Sequence, residues 1–160
     1  MKQLIGVLTA LLLSSAASAQ TNINLGGISA NPNAPVEVSA DNLAVDQETG
    51  SATFSGNVVI GQGNLRISAG SVRVIYAEAT GDIAQLLATG GVTFVTDSEA
   101  AEAREANYNL TSGMLVLTGD VLLTQGASAL SAEKMTINLS TGSAQMAGRV
   151  RTVFQQDGGN

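Results

Sequence analysis

The amino-acid sequence predicts an all-β protein with a curled sheet, built from four repeats of about thirty residues. The first observation is a Thr-Gly or Ser-Gly pair that recurs at nearly constant spacing, each followed by a second glycine two residues before a valine. The second is that apolar and polar residues alternate between these glycines, which is the period of a β-strand with one buried face. The paired glycines are Gly50 and Gly56, Gly81 and Gly90, Gly113 and Gly119, and Gly142 and Gly148, and the valines are Val58, Val92, Val121 and Val150.

Each repeat has the pattern of two strands joined by a turn. The first glycine of each pair supplies the positive φ that a tight turn requires. The second lies inside a strand, where glycine usually marks a bulge or a bend, and successive bends curl a sheet. Asn57 and Asp120, which follow two of these glycines, are expected to serve the same geometry. The segment Ser98 to Ala106, rich in Ala and Glu, is predicted to be a loop running into a strand.

The N-terminus has the features of a secretory signal peptide. Lys2 supplies a positive charge, Leu4 to Leu13 form an apolar run too short to span a bilayer, and Ala17-Ser18-Ala19 fits the small-residue pattern before a cleavage site. We therefore expect residues 1–19 to be removed on export, leaving a soluble mature protein.

Three segments are predicted behind the signal peptide. Residues 20–35 are rich in Asn, Gly, Ser and Pro, and they are expected to form a flexible leader that ends where Pro35 forces an extended backbone. Residues 36–154 carry the repeats and are predicted to form one domain. Residues 155–160 are predominantly polar and are expected to fray.

Composition excludes several classes of function. The chain has 13 acidic against 7 basic residues and no basic stripe, which argues against nucleic acid as a partner. It has neither His nor Cys, so the commonest general base, thiolate nucleophiles and zinc–sulfur sites are missing. Glu99, Glu102 and Glu105 are expected to be a solvated acidic run rather than a calcium site. The sequence therefore predicts no enzyme, no metal site and no cofactor.

The predicted interior is aliphatic, because aromatic residues make up only 3% of the chain while Ala and Gly are plentiful. A compact sandwich usually fills its centre with bulky rings. Two interpretations remain open at this point. Small side chains could simply let curved sheets approach closely, or the space could be left for an aliphatic guest.

Two segments resemble the repeat of the OstA-like family of lipopolysaccharide-transport proteins. They are Phe54-Ser55-Gly56-Asn57-Val58 and Leu117-Thr118-Gly119-Asp120-Val121, and the resemblance covers nearly all of residues 36–154. It implies an open β-jellyroll of short antiparallel strands that lies in the periplasm. It also implies that the acyl chains of lipid A are carried inside the jellyroll, from an inner-membrane complex to an outer-membrane translocon that both contain homologous jellyrolls.

Alternation and the resemblance together predict which residues line the interior, although each of them could equally be ordinary core. The resemblance implies a lipid-facing role for Val36, Val38, Phe94, Tyr108 and Leu110. Alternation alone adds Phe54, Ile60, Leu65, Ile67, Leu117, Leu123 and Ile137. Arg73 lies next to inward positions and is expected to face solvent.

An open jellyroll has edge strands at its two ends, predicted at Val36 to Ala40 and Val150 to Phe154. Exposed edges pair with other edges, so we expect head-to-tail contact with further copies or with partner jellyrolls. The residues expected at these contacts are Val36, Val38, Val150, Thr152 and Phe154. The alternative function is a structural β-repeat scaffold or adhesin of the envelope with a dry core and no lipid cargo. A carbohydrate-active enzyme is a weaker alternative, since sugar sites favour aromatic platforms.

Overall fold

A computed structural model describes residues 21–24, 31 and 33–154 of the chain. Within these residues the protein is all-β, and no helix is present that could cross a membrane. The predicted signal peptide and C-terminal tail lie outside the described residues. The strands are β1 (Thr21–Asn24), β2 (Glu37–Ser39), β3 (Asn42–Asp46), β4 (Ser51–Gln62), β5 (Leu65–Tyr76), β6 (Ile83–Val95), β7 (Glu99–Ala103), β8 (Glu105–Asn109), β9 (Met114–Gln125), β10 (Ser128–Asn138), β11 (Ser143–Ala147) and β12 (Arg151–Val153).

All described strands belong to one antiparallel sheet, which confirms the predicted all-β class of antiparallel strands. Five strands are long, with 11 to 13 residues each: β4, β5, β6, β9 and β10. The short strands pair with halves of the long ones. Layer A contains β3, β8, β11 and the halves that pair with them, and layer B contains β2, β7, β12 and the remaining halves.

The two layers meet at a line of bulges across the middle of the long strands. On β4, Gly56 and Asn57 both have left-handed backbone angles and together face one residue of β5. On β9, Gly119 and Asp120 repeat this arrangement opposite β10. The predicted bulge role of Asn57 and Asp120 is therefore confirmed. Each two-against-one bulge turns its strand, so the sheet folds along this line.

The inner face of the folded sheet carries the core. A single sheet can bury one of its faces completely only by folding that face onto itself or onto another element. Here the inner faces of both layers contribute to one apolar cluster, with Val72 and Met135 from layer A and Leu65 and Leu123 from layer B all fully buried. The cluster is aliphatic apart from Phe94 and Tyr108 among the described buried residues, as the composition predicts.

Two segments differ from the sequence-based expectation. The prediction of a loop at Ser98 to Ala106 is wrong for most of that segment, because it contains β7 and the start of β8. These strands are held between β6 and β9, and pairing on both sides outweighs the low β-propensity of Ala and Glu. Within the expected flexible leader, Thr21–Asn24 forms β1 and pairs with β11.

Both ends of the sheet are open. At one end β2 and β3 each pair only with β4 among the described strands. At the other end β12 pairs only with β10, and β1 lies outside β11. The architecture is thus an open β-jellyroll whose axis runs across the strands from the β2/β3 end to the β1/β12 end.

Candidate lipid-binding interior

The structure places all twelve predicted lining residues in or against the apolar core. Eight of them are 0–2% exposed: Ile60, Leu65, Ile67, Phe94, Tyr108, Leu117, Leu123 and Ile137. Four are partly buried and pack against the others: Val36, Val38, Phe54 and Leu110. Arg73 is exposed on the outer face, as predicted. Alternation was therefore a reliable guide to which face each residue occupies.

In layer B the inner side chains form a continuous row along the jellyroll axis. Residues that pair across antiparallel strands point to the same side of the sheet, so the strand register fixes the row from one edge to the other. Its central member is Phe94, the largest fully buried side chain. From end to end the row is Val38, Ile60, Ile67, Phe94, Ala101, Leu123, Leu130 and Thr152.

Layer A contributes parallel rows to the same interior. One row passes through Tyr108, which pairs with Leu86 on β6 and Leu115 on β9. It begins with Val45 on β3 and reaches Ala144 on β11. The interior is therefore lined along its length by side chains of similar chemistry, with the few polar groups concentrated at one margin.

That margin is the turn end of layer B, which we call lip B, where β4, β6 and β9 turn into the next strand. Glu99 lies here and is 4% exposed, so the prediction that it belongs to a solvated acidic run is wrong. Its carboxylate accepts hydrogen bonds from the hydroxyls of Thr96 (2.9 Å) and Ser98 (2.6 Å) and from the amide of Gln125 (3.1 Å). These donors compensate the carboxylate for lost water. In the described part of the chain, no group of three or more acidic side chains lies close enough together to hold a metal ion.

Layer A also has a turn end, which we call lip A. Tyr108 lies near lip A, and its side chain forms a hydrogen bond with a residue of lip B. Its hydroxyl donates to the Oε1 atom of Gln62 at 2.7 Å, and both residues are buried. Gln62 also donates through Nε2 to the carbonyl of Ala34 at 3.1 Å. Burial raises the pKa of the Tyr108 phenol above its ordinary value, because the phenolate would lose its hydration. The hydroxyl therefore remains a donor at neutral pH.

At both ends the inner face continues into solvent. Leu43 and Val45 on β3 pair with Phe54 and Ala52, so they lie on the inner face, yet they are 57% and 67% exposed. At the other end Thr152, which pairs with Leu130 on the inner face, is exposed, and Phe154, just beyond β12, is 73% exposed. The sequence-based selection of site residues missed Leu43 and Val45, although their alternation before a Thr-Gly turn was the available signal.

The sequence-based selection also missed Gln62 and the polar pairs that cross the line of bulges. Asp41 accepts from Asn57 at 2.8 Å, and Glu133 lies 3.3 Å from Arg149. A third pair joins Arg104 to Asp120, and this hydrogen bond raises the pKa of the guanidinium above its ordinary value. All three pairs are separated by sixteen residues in the sequence, and this constant spacing could have revealed them.

Fold and interior define a class: an open antiparallel β-jellyroll with an apolar interior that runs from one sheet edge to the other. The sequence model of the family described as "LptA/(LptD N-terminal domain) LPS transport protein" matches residues 37–143. The chain therefore belongs to this lipopolysaccharide-transport family.

Two individual proteins are similar to the chain. An uncharacterized protein of Rhizobium meliloti (strain 1021) is 29% identical over 118 residues, which cover 69% of this chain and 63% of that protein. The match thus spans less than two thirds of that relative's length. The crystal structure of LptH from Pseudomonas aeruginosa, described as the LptA homologous periplasmic component of the lipopolysaccharide transport device, superposes with a TM-score of 0.71 at 18% identity. The match covers 79% of this chain and 99% of LptH, and at this identity it establishes the fold.

Proposed function

We propose that this protein is a periplasmic bridge that binds lipopolysaccharide through its acyl chains and passes it from the inner to the outer membrane. The observation that carries the proposal is the inner row of layer B, which is apolar from Val38 on one edge strand almost to Thr152 on the other. An acyl chain laid along this row would stay out of water over the length of the domain. Membership in the transport family supports the same function.

The energetics suit a carrier that must also release its cargo. Each methylene buried from water contributes about 0.8 kcal/mol, so lipid A with several long acyl chains needs shelter to cross an aqueous compartment. The row offers dispersion contacts without directional hydrogen bonds that would fix one position. An acyl chain can therefore slide along it with small changes in free energy, while the direction of transport is imposed by the partners.

The location follows from the predicted signal peptide. We infer that residues 1–19 direct export and are removed, so that the mature chain works in the periplasm between two membrane-bound jellyrolls. Edman sequencing or mass spectrometry of the protein purified from periplasm should give Gln20 as the first residue. A protein that still carries residues 1–19 would contradict the predicted cleavage.

Site-specific photo-crosslinking in living cells tests the lipid role directly. A photoreactive amino acid at Phe94 or Tyr108 should form adducts with lipopolysaccharide, while the same group at Arg73 on the outer face should not. Protein adducts or none at the two inner positions, in variants that still fold, would contradict the proposal.

End-to-end assembly is the second part of the proposal. Among the described strands, those at both ends of the sheet leave one edge unpaired, with exposed apolar residues nearby, and such edges readily accept another strand. A proline or a charge at Val38 or Val150 should abolish self-association measured by light scattering, because each change disrupts the edge at one end. Unchanged self-association in both variants would refute this contact.

A structural scaffold without cargo is the competing function. The observation in its favour is that eight of the predicted lining residues are 0–2% exposed, so the interior is closely packed without a guest. A scaffold would yield no lipid adducts from Phe94 or Tyr108. The photo-crosslinking experiment therefore separates the two functions.

A further inference from the structure

The hydrogen bond between Tyr108 and Gln62 joins parts of the sheet that are far apart within it. Tyr108 belongs to the same transverse row as Ala52 on β4. Gln62 lies at the other end of that same strand, ten positions further on, and the chain between the two residues would measure about 33 Å if fully extended. In addition, β5 and β6 lie between β4 and β8 in the sheet. Only the folding of layer A onto layer B brings the two side chains to 2.7 Å.

The bond therefore spans the gap between lip A and lip B, which we call the mouth. Along the line of bulges the layers are connected by continuous backbone, so that side cannot open. On the side of the lips each layer ends in turns, and the hydrogen bond between Tyr108 and Gln62 is a contact that joins the two layers there. A separation of the layers at this side would expose the Phe94 row without breaking any pairing between the described strands.

We propose that Tyr108 and Gln62 form a latch that holds the mouth closed and has to open before an acyl chain enters the interior from the side. This inference rests on the proposed lipid-binding function. The latch is suited to reversible opening, because its two polar groups exchange one hydrogen bond between themselves for hydrogen bonds to water when the layers part. An apolar contact at the same place would have no such compensation.

The latch is also connected to the edge strand at the β2 end. Gln62 donates to the carbonyl of Ala34, two residues before Val36 and three before β2 begins. The same side chain thus contacts both lip A and the segment that leads into an edge where a partner jellyroll is proposed to pair. Displacement of this segment would remove one of the groups that position Gln62.

Substitution of the two tyrosines of the chain tests the latch. Tyr108→Phe removes the donor and keeps the ring, while Tyr76→Phe is the matched control, since Tyr76 is 39% exposed and lies outside the predicted lining residues. If only the open form binds lipid, the apparent affinity rises with the open fraction. We expect Tyr108→Phe to bind fluorescently labelled lipopolysaccharide about two- to tenfold more tightly than the wild type, the factor that one typical net hydrogen bond represents. Tyr76→Phe should bind as the wild type does.

If the wild type binds lipopolysaccharide and Tyr108→Phe binds it equally or more weakly, the latch is refuted, while the proposed function is unaffected. Gln62→Met, which removes the acceptor at similar length, provides the same test if Tyr108→Phe does not fold.

If the wild type binds no lipid, the proposed function fails, and the mouth is then measured without lipid. The chain has no cysteine, so nitroxide labels can be placed at Asn64→Cys on lip B and Thr111→Cys on lip A. Double electron–electron resonance then measures the distance between the two labels, and a longer distance component in Tyr108→Phe than in the wild type supports the latch. Identical distance distributions overturn it.

Discussion

The three phenylalanines of the chain provide a graded test of how tightly the interior is packed. Phe94 is fully buried at the centre of the layer B row, Phe54 is half-buried near the β3 end, and Phe154 is 73% exposed. Replacement of a fully buried Phe by Ala removes its transfer free energy and leaves a cavity. Phe94→Ala should therefore lower the free energy of unfolding by about 3–5 kcal/mol.

The other two substitutions set the scale. Phe54→Ala should cost about 1–2 kcal/mol, because part of the ring is already in water and the open β3 end can relax around it. Phe154→Ala should change stability by less than about 0.5 kcal/mol.

Urea unfolding followed by far-UV circular dichroism measures all three, since the chain has no Trp to serve as a fluorescence probe. The slope against urea should stay the same, so that midpoint shifts report stability. A cost of Phe94→Ala below about 1 kcal/mol at unchanged slope would mean that the interior is not closed around this ring.

Three further predictions concern the line of bulges and the latch. Gly70→Ala should destabilise the protein by about 1–3 kcal/mol, because the added Cβ would lie 3.1 Å from a backbone oxygen of β6. The Cβ of Gly91→Ala meets no atom within 4 Å, so this change should cost only the roughly 1 kcal/mol of an alanine in the left-handed conformation. Equal urea midpoints for Gly70→Ala and the wild type would contradict the close approach. Arg104→Ala removes an exposed ion pair with Asp120, so it should lower stability only slightly, and the loss should shrink in high salt. A salt-independent loss in urea unfolding would point to packing instead. Burial raises the pKa of the Tyr108 phenol, so the stability that this group contributes is complete below pH 10 and is lost as pH rises through the folded-state pKa. Tyr108→Phe should therefore lose less stability than the wild type between pH 8 and pH 11. Urea midpoints that fall by the same amount in the two proteins would argue against burial of the hydroxyl.

The strands and their inner faces could be predicted from the sequence because the information is local. Alternation has a period of two residues, so the neighbouring residues in the sequence are enough to predict that Ile67 and Ile137 lie on the inner face. The bulges could also be predicted from the sequence. Two consecutive residues in the left-handed conformation need a glycine followed by a residue such as Asn57 or Asp120 that tolerates this conformation. These features determine the fold class and place the predicted lining residues on one face.

The features that were missed depend on contacts between distant parts of the chain. Ser98 to Ala106 has poor strand propensity, and it becomes β7 and the start of β8 only because β6 and β9 offer hydrogen-bonding edges on both sides. The hydrogen bond from Gln125 to the buried carboxylate of Glu99 joins residues that are 26 positions apart. Gln62 and Tyr108 are 46 residues apart and meet only after the sheet has folded. No local pattern contains these distances.

The exposed inner residues at the two ends connect the fold to the proposed assembly. Leu43 and Val45 face inward from β3, but among the described strands none lies beyond them, and they remain largely exposed. At the other end Phe154, just beyond β12, is also exposed. A dry scaffold that works as a single domain gains nothing from this exposure, because covering apolar area contributes about 25 cal/mol per Å². In a chain of jellyrolls joined end to end, the inner face of the next domain would cover these side chains and continue the apolar surface. The open ends therefore favour the bridge over the isolated scaffold, because they leave apolar surface where a neighbouring domain would complete the path.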